Sequence, residues 1–321
     1  MTEATLDTQD APLAPASRLR LVRWQRRLAE GRSTWQRFTR QPLGVIGLSL
    51  IVLFAVVAVV HPVLMATVWD KTTYDPLVGF DAQGGPHPAA PSARHLLGTD
   101  NQGRDVLSQL LFAARPSFGV GLLAGLVAAI TATAVGVLSA YFGGTLDTLL
   151  MGLTDLFIVL PPTLILLVVG LMVQVTWPQL ALIYGVFAGL GGPAVVLRAH
   201  ALSIKVKPYV EAARVAGGSN WHILRIHLFP AMAPLMLLIL MFTVTGSVLA
   251  EALLSFFGRT QTRMSWGTMI WYGQTTFRSA TAAGQWHAII PPAIAIMLFC
   301  GAFYMVSRSF DELLNPRLQK R

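Results

Sequence analysis

Long apolar runs alternate with short polar segments along most of this chain. A helical span needs about 20 mostly apolar residues to cross roughly 30 Å of hydrocarbon, and several runs reach that length. Two runs are interrupted, one by Pro161-Pro162 and one by residues 189–193, and such breaks in a membrane helix indicate kinks against neighbouring helices. The pattern predicts an all-α integral membrane protein with about six transmembrane helices, at residues 43–66, 117–142, 148–173, 179–197, 229–257 and 287–307.

Composition supports this prediction. Of the 321 residues, 54% are hydrophobic and 12% are charged, whereas about a quarter of the residues of a soluble domain are charged. Residues 1–17 are rich in Ala, Pro and Thr and precede any apolar stretch, so we expect no cleavable signal peptide and assign insertion to the first span. The single cysteine, Cys300, lies in the last predicted span and excludes an intramolecular disulfide.

The basic residues predict an orientation. Residues 1–42, the loop 198–228 and the tail 308–321 together carry seventeen Lys and Arg, against seven in the loops on the opposite side. The positive-inside rule therefore places both termini and the loop 198–228 in the cytoplasm, and residues 67–116 outside. The net charge of +9 then reflects topology, because nucleic-acid binding needs one clustered basic face.

Residues 18–40 combine eight arginines with regularly spaced Leu, Trp and Phe. This pattern is typical of a basic amphipathic helix that lies on an anionic leaflet. A solvated run of charge explains the same pattern equally well, and both interpretations remain open.

A polar amphipathic segment, residues 208–230, lies between two of the apolar runs. Pro208 suits the first turn of a helix, where its missing N–H is not needed, and Gly217-Gly218 can adopt the left-handed conformation that ends one. We expect this helix to pack one face and leave the other in water. The expected packed residues are Val206, Tyr209, Val210, Ala213 and Ala216, and the expected wet ones are Lys207, Glu211 and Arg214.

The second half of this segment predicts another short helix. Ser219 or Asn220 can cap it, it continues through Trp221, and Pro230 marks its junction with the next apolar run. Residues 208–228 should then form a compact knob of two helices joined at a glycine pair. An amphipathic connector that lies among lipid headgroups is the plainer alternative.

Polar residues elsewhere suggest structural roles. Asp105 can cap the helix that follows it, and Asp100 with Arg104 can pin a tight turn. A calcium loop is the sharper alternative for this segment, although it lacks the alternating ligand spacing and the later Glu. Ionisable residues inside spans are functional candidates by default. For Glu251 we expect a hydrated structural pair near the external interface, and for Asp155 contact with a partner subunit, with the bundle interior as the alternative.

The sequence shows no catalytic constellation. A phosphate-binding loop needs Gly-Lys-Ser/Thr, and none of the four lysines follows a glycine. No Ser/His/Asp arrangement is recognisable. His222 and His227 are five residues apart, not the four that align metal ligands on a helix, so zinc binding is not expected.

Two motifs carry a family resemblance. Glu211-Ala212-Ala213, followed by Gly217 and Pro230, resembles the cytoplasmic coupling loop of the membrane-spanning subunits of bacterial ATP-binding-cassette importers. The segment Leu97 to Leu107 is similar to one in C-type subunits of the dipeptide and oligopeptide permeases. Its matching residues are Gly98, Thr99, Asp100, Gly103, Arg104 and Asp105.

Other stretches extend the resemblance to roughly residues 36–318. Residues 251–258, Ser265-Trp266-Gly267 and residues 315–318 are similar to the same subfamily. The chain departs from the family at Ala231, where Asn is usual, and at Arg259-Thr260, where Leu-Gly is usual.

The resemblance implies a type I importer permease fold, with residues 117–307 as its core and residues 43–66 as a preceding helix. It implies a bacterial inner-membrane location, a second permease subunit, two ATPase subunits and an extracytoplasmic binding protein as partners. This chain would hold no cofactor, because ATP and Mg would be bound by the ATPases. Coupling would fall on Glu211, Ala212, Ala213, Gly217, Ser219, Asn220, Trp221 and Pro230, and the binding protein would dock on residues 98–105. The expected cargo is a peptide; glutathione or nickel chelates are alternatives, as is a secondary transporter driven by an ion gradient through Glu251 and Asp155.

Overall fold

A computed structural model describes residues 36–82, 86–257, 264–277 and 286–314. The described part is helical, apart from loops and one isolated bridge between Thr99 and Asp105. Its helices in chain order are α1 Pro42–Thr67, α2 Lys71–Tyr74, α3 Val106–Phe142, α4 Gly144–Val159, α5 Pro162–Met172, α6 Trp177–Leu190, α7 Gly192–Lys205, α8 Pro208–Val215, α9 Asn220–Ile223, α10 Phe229–Phe256, α11 Trp266–Phe277 and α12 Trp286–Leu314.

Six apolar spans are consistent with these helices. Four described helical stretches, which contain α1, α3, α10 and α12, are long and apolar enough to cross a membrane individually. The pairs α4–α5 and α6–α7 each qualify as one bent span, with bends of 76° and 47°. The breaks fall at Pro161 and Gly191, as the interrupted runs predicted, because proline and glycine end regular helix there.

Three helices extend well beyond the predicted spans. α3 begins at Val106, eleven residues before the predicted start at 117, α7 continues to Lys205, past the predicted end at 197, and α12 continues to Leu314. The first turns of α3 are mostly apolar, but Ser108, Gln109 and Arg115 interrupt them, so a search for an unbroken apolar run places the start too late. The end of α12 is supported by an ion pair between Arg308 and Glu312, at 3.1 Å.

α3 is the central helix and packs against α6, α7 and α10. Small residues allow the close approach of these helices. A Cβ atom at Gly125 would lie 2.8 Å from the Leu240 carbonyl oxygen, and one at Gly185 would lie 2.7 Å from the Ala124 carbonyl oxygen. These glycines therefore set the helix separations on which the bundle is built.

The bundle has two distinct ends. Residues 206–228 project at one end, which we call the knob end. Residues 68–82 and 86–105 cover the other, which we call the loop end. α11 also lies there, with the Trp266 indole N–H donating to the Leu110 carbonyl oxygen at 3.2 Å. α11 was not predicted from the sequence, because it is short and lies within a segment taken as an external turn.

Candidate functional site

The knob, residues 208–228, begins with α8. Pro208 occupies the first turn of α8, and the helix ends in a turn at Gly217, whose φ is +81°. The Gly218 N–H donates to the Ala213 carbonyl oxygen at 2.9 Å and closes this end. The predicted left-handed glycine is thus confirmed, because ordinary L residues rarely adopt this φ.

The second half of the knob begins with the predicted cap and continues further than predicted. The Ser219 hydroxyl caps α9 by accepting from the His222 N–H at 3.3 Å, as expected. α9 continues through a π-helical turn, Leu224–Leu228, and α10 begins at Phe229, so Pro230 lies at the predicted junction with the apolar run, although the chain stays helical there. The π-turn shifts the hydrogen-bond register just before the proline and accommodates its missing N–H without ending the helix.

Buried apolar residues fix the knob to the bundle. Val210 and Ile223 are fully buried against the ends of α3 and α7. The Tyr141 hydroxyl, at the end of α3, donates to Asn220 Oδ1 at 2.8 Å. Lys205 Nζ donates to the Ala140 and Tyr141 carbonyl oxygens, at 3.0 and 2.8 Å, and so caps the same end of α3. These contacts attach the knob to the end of the central helix.

The outward surface of the knob exposes large apolar side chains among charged ones. Val215 is 83% exposed and Trp221 is 64% exposed, and Tyr209 is also exposed. The prediction that Val206, Tyr209 and Ala216 would pack is wrong, because α8 lies at the end of the bundle, which covers only the Val210 side. Exposed apolar side chains on so short a segment are typical of an interaction site.

Glu211, Ala212 and Gly217 are exposed on this surface. Within the part of the chain that the structure describes, Glu211 makes no side-chain hydrogen bond or ion pair. The surface therefore offers a partner one free carboxylate, two large apolar side chains and a stretch of small residues that permits close approach.

At the loop end, residues 98–105 form the predicted tight turn. Gly98 and Gly103 both have positive φ, of 76° and 73°. Asp100 accepts from the backbone N–H of Arg104 at 2.9 Å and from Arg104 Nε at 2.7 Å. Asp105 accepts from the Ser108 N–H at 2.6 Å and so caps α3, as predicted.

A buried histidine joins this turn to the rest of the loop, and sequence reasoning missed it. His95 Nδ1 lies 2.8 Å from Asp105 Oδ2, and His95 Nε2 lies 2.9 Å from Asp81 Oδ2, with all three side chains buried. Burial raises the pKa of the Tyr74 hydroxyl, and the Asp105 carboxylate acts in the same direction. That hydroxyl therefore keeps its proton and donates to the Arg94 carbonyl oxygen at 2.8 Å. No local pattern signals this cluster, since its members lie far apart along the chain.

The two intramembrane acids lie in different surroundings. Glu251 is only 1% exposed and accepts from the Ser255 hydroxyl at 2.7 Å. The expectation of a hydrated pair is therefore wrong, because α11 and the segment before it cover this end of α10. Asp155 is exposed on the surface of α4, so it does not point into the interior of this chain.

Comparison with known proteins adds a family context. The family described as "binding-protein-dependent transport system inner membrane component" matches residues 132–320, and the "N-terminal TM domain of oligopeptide transport permease C" matches residues 31–82. A dipeptide transport system permease protein of Bacillus subtilis is 30% identical over 91% of this chain and 88% of its own length. A putative peptide transport system permease protein of Brucella suis is 33% identical over 71% and 76%. A glutathione transport system permease protein of Pectobacterium atrosepticum is 27% identical over 90% and 91%.

Proposed function

The chain belongs to the family of binding-protein-dependent transport system inner membrane components, and we propose that it moves peptides as one permease subunit of an ATP-binding-cassette importer. It is a multi-pass membrane protein with the all-α architecture expected of such a subunit. The peptide cargo rests on the dipeptide and oligopeptide relatives, and the glutathione relative supports the alternative cargo.

The exposed surface of the knob is the observation that carries the proposal. A partner that binds there contacts Trp221, Val215 and the free carboxylate of Glu211, while the buried side of the same knob holds the end of α3 through Asn220 and Tyr141. An ATPase subunit that changes shape on binding ATP would thereby tilt α3 and the helices packed on it. Nucleotide shifts the permease only because it binds the two states with different affinity.

The remaining roles follow from this arrangement. ATP and Mg are bound and hydrolysed by two partner ATPases, so this chain is a non-catalytic subunit. The knob end and both termini face the cytoplasm. The turn at residues 98–105 faces the binding protein. Residues 117–307 form the core of the permease. Asp155 and the surrounding apolar face of α4 meet a second, similar permease subunit, because a charged side chain exposed to lipid is costly.

Charge reversal at Glu211 tests the proposal. The complete complex is reconstituted into proteoliposomes with ATP inside, and uptake of a labelled dipeptide is measured. We expect Glu211→Lys to abolish uptake while the protein stays in the membrane, and Glu211→Gln to retain part of it, because Gln keeps the shape and loses only the charge. A bulky residue at Gly217 is expected to act like the charge reversal. Full uptake in both Glu211→Lys and the Gly217 variant contradicts the assigned role.

An ion-gradient-driven secondary transporter is the competing class, with Glu251 and Asp155 as couplers. Uptake in vesicles that hold an ion gradient but no ATP would support it. The burial of Glu251 among serine hydroxyls disfavours it, because a coupling site needs a path for the ion.

A further inference from the structure

A cleft of about 340 Å³ lies at the loop end of the bundle, between α1, α2 and the first part of α3. It is separate from the knob and from the buried cluster around His95. The side chains that define its charge are His61, Lys71, Asp75 and Arg115, and Met65 and Phe112 contribute apolar walls.

The cleft carries two unneutralised cations. Lys71 and Arg115 are exposed, and neither side chain forms a hydrogen bond or ion pair with any residue that the structure describes. Asp75 brings one negative charge to the cleft, and its Oδ1 accepts from the backbone N–H groups of Leu77 and Val78 at 2.8 and 3.0 Å. Because Lys71 and Arg115 outnumber this single carboxylate, the net charge of the cleft is positive.

The cleft lies where a predicted membrane span begins. Arg115 comes two residues before the predicted span 117–142, which places it near the expected edge of the hydrocarbon. Trp69 lies beside the cleft, with its ring stacked 5.3 Å from that of Tyr74 and 6.0 Å from that of His61. Tryptophan and tyrosine are enriched at the depth of the lipid headgroups.

An apolar stripe continues from the cleft toward the middle of the membrane. Val52, Val56, Val59 and Val63 lie on one face of α1, and each is at least half exposed. A ligand with an anionic head and hydrocarbon chains therefore fits both parts of this surface. Basic pockets between membrane helices are known to bind anionic lipid headgroups.

We propose that this cleft binds the phosphate diester of an anionic phospholipid, with Lys71 and Arg115 as the cationic ligands and the acyl chains along the α1 stripe. The bound lipid bridges α1 to α3 at the loop end. It thereby adds to the contact between the first span and the core that His61 and Ser108 already make, with His61 Nε2 3.2 Å from the Ser108 hydroxyl oxygen.

A photocrosslinking experiment tests the site directly. A benzophenone-bearing residue replaces Met65, and the full chain is placed in vesicles of equal parts phosphatidylglycerol and phosphatidylcholine. After irradiation, the two lipid adducts are counted by mass spectrometry. We expect phosphatidylglycerol adducts to exceed phosphatidylcholine adducts roughly tenfold, since each cation near a headgroup phosphate contributes about 1 kcal/mol and Asp75 offsets part of the sum.

Substitutions distinguish a specific lipid site from electrostatic attraction by the protein as a whole. Lys71→Gln combined with Arg115→Gln should return the adduct ratio to about one. Arg94→Gln is the matched control, because it removes one exposed cation from the same end but outside the cleft, and it should leave the ratio unchanged. If the double variant does not fold, as judged by size-exclusion chromatography, either single substitution should lower the ratio about threefold.

Three results overturn the proposal. Equal adducts in the chain with no cleft substitution show that the cleft has no preference for the anionic lipid. An excess that survives removal of both cations shows attraction by the protein as a whole. Loss of the excess on addition of inorganic phosphate, at constant ionic strength, shows a site for a free anion instead of a lipid.

Discussion

The turn at Gly217 allows a test in which backbone conformation is the only variable. Its φ is +81°, and a Cβ atom added there would meet no atom within 4 Å. A substitution therefore creates no collision and acts through the left-handed backbone alone. This conformation destabilises an ordinary L residue by roughly 1–2 kcal/mol. The penalty is smaller for Asn and larger for a β-branched residue.

The size of the effect follows from this cost. Gly217 sets the angle between α8 and α9. In a variant, the partner therefore binds either a knob with a strained turn or a knob in which this angle has changed. For Gly217→Ala we expect docking of the ATPase subunit to weaken by about fivefold to thirtyfold, which corresponds to roughly 1–2 kcal/mol. Gly217→Asn should weaken it less, and Gly217→Val more.

The assay is a titration of ATPase subunits against the reconstituted permease, with the half-saturating concentration for ATP-driven uptake as the readout. Gly301→Ala is the matched control, because a Cβ atom there also meets nothing within 4 Å but the backbone is ordinary helix. We expect it to leave docking unchanged.

Two results would refute the reasoning. One is a Gly217→Val variant that docks as well as Gly301→Ala. The other is a Gly217→Asn variant that docks worse than Gly217→Ala, since that order cannot arise from left-handed strain. Hydrogen exchange of residues 208–223 gives an independent check, because the strained variants should exchange faster there.

Three further outcomes follow from the packing. His95→Ala removes the side chain that hydrogen-bonds both Asp81 and Asp105, two buried carboxylates, so the free energy of unfolding should fall by several kcal/mol and the thermal unfolding midpoint with it; an unchanged midpoint would count against the cluster. Gly185→Leu should reduce the amount of folded protein in size-exclusion chromatography, because the new side chain collides with the backbone of α3, while Gly301→Leu should not. Glu251→Gln should retain uptake, because the amide oxygen still accepts from the neighbouring serine hydroxyl. Glu251→Ala should destabilise the protein by about 1–3 kcal/mol. Loss of uptake in Glu251→Gln would instead favour an ion-coupling role.

Features that depend on one residue and those next to it in the chain were predictable from the sequence. The breaks at Pro161 and Gly191, the start of α8 at Pro208 and the left-handed turn at Gly217 all arise from restrictions within the residue itself. The cap at Asp105 is similarly local, since its carboxylate reaches an N–H only three residues ahead. Such features appear in the sequence because proline and glycine limit the backbone wherever they occur.

Features that depend on distant residues were not predictable. Tyr209 has the spacing of a packed residue but is exposed, because nothing in the sequence shows that the bundle ends beside Val210. Glu251 is buried where Ser265 and α11 pack against α10, and His95 contacts one acid 14 residues before it and another 10 residues after it.

The apolar runs by themselves determined an all-α membrane protein, the approximate position of each span and the location of the knob, because burial of apolar surface and local backbone limits act residue by residue. Only the tertiary structure decided which face of the knob is open, how α3 holds it and where unpaired cations line a cleft. Those properties depend on which side chains meet across the bundle, and contacts between residues far apart in the chain leave no periodic trace along it.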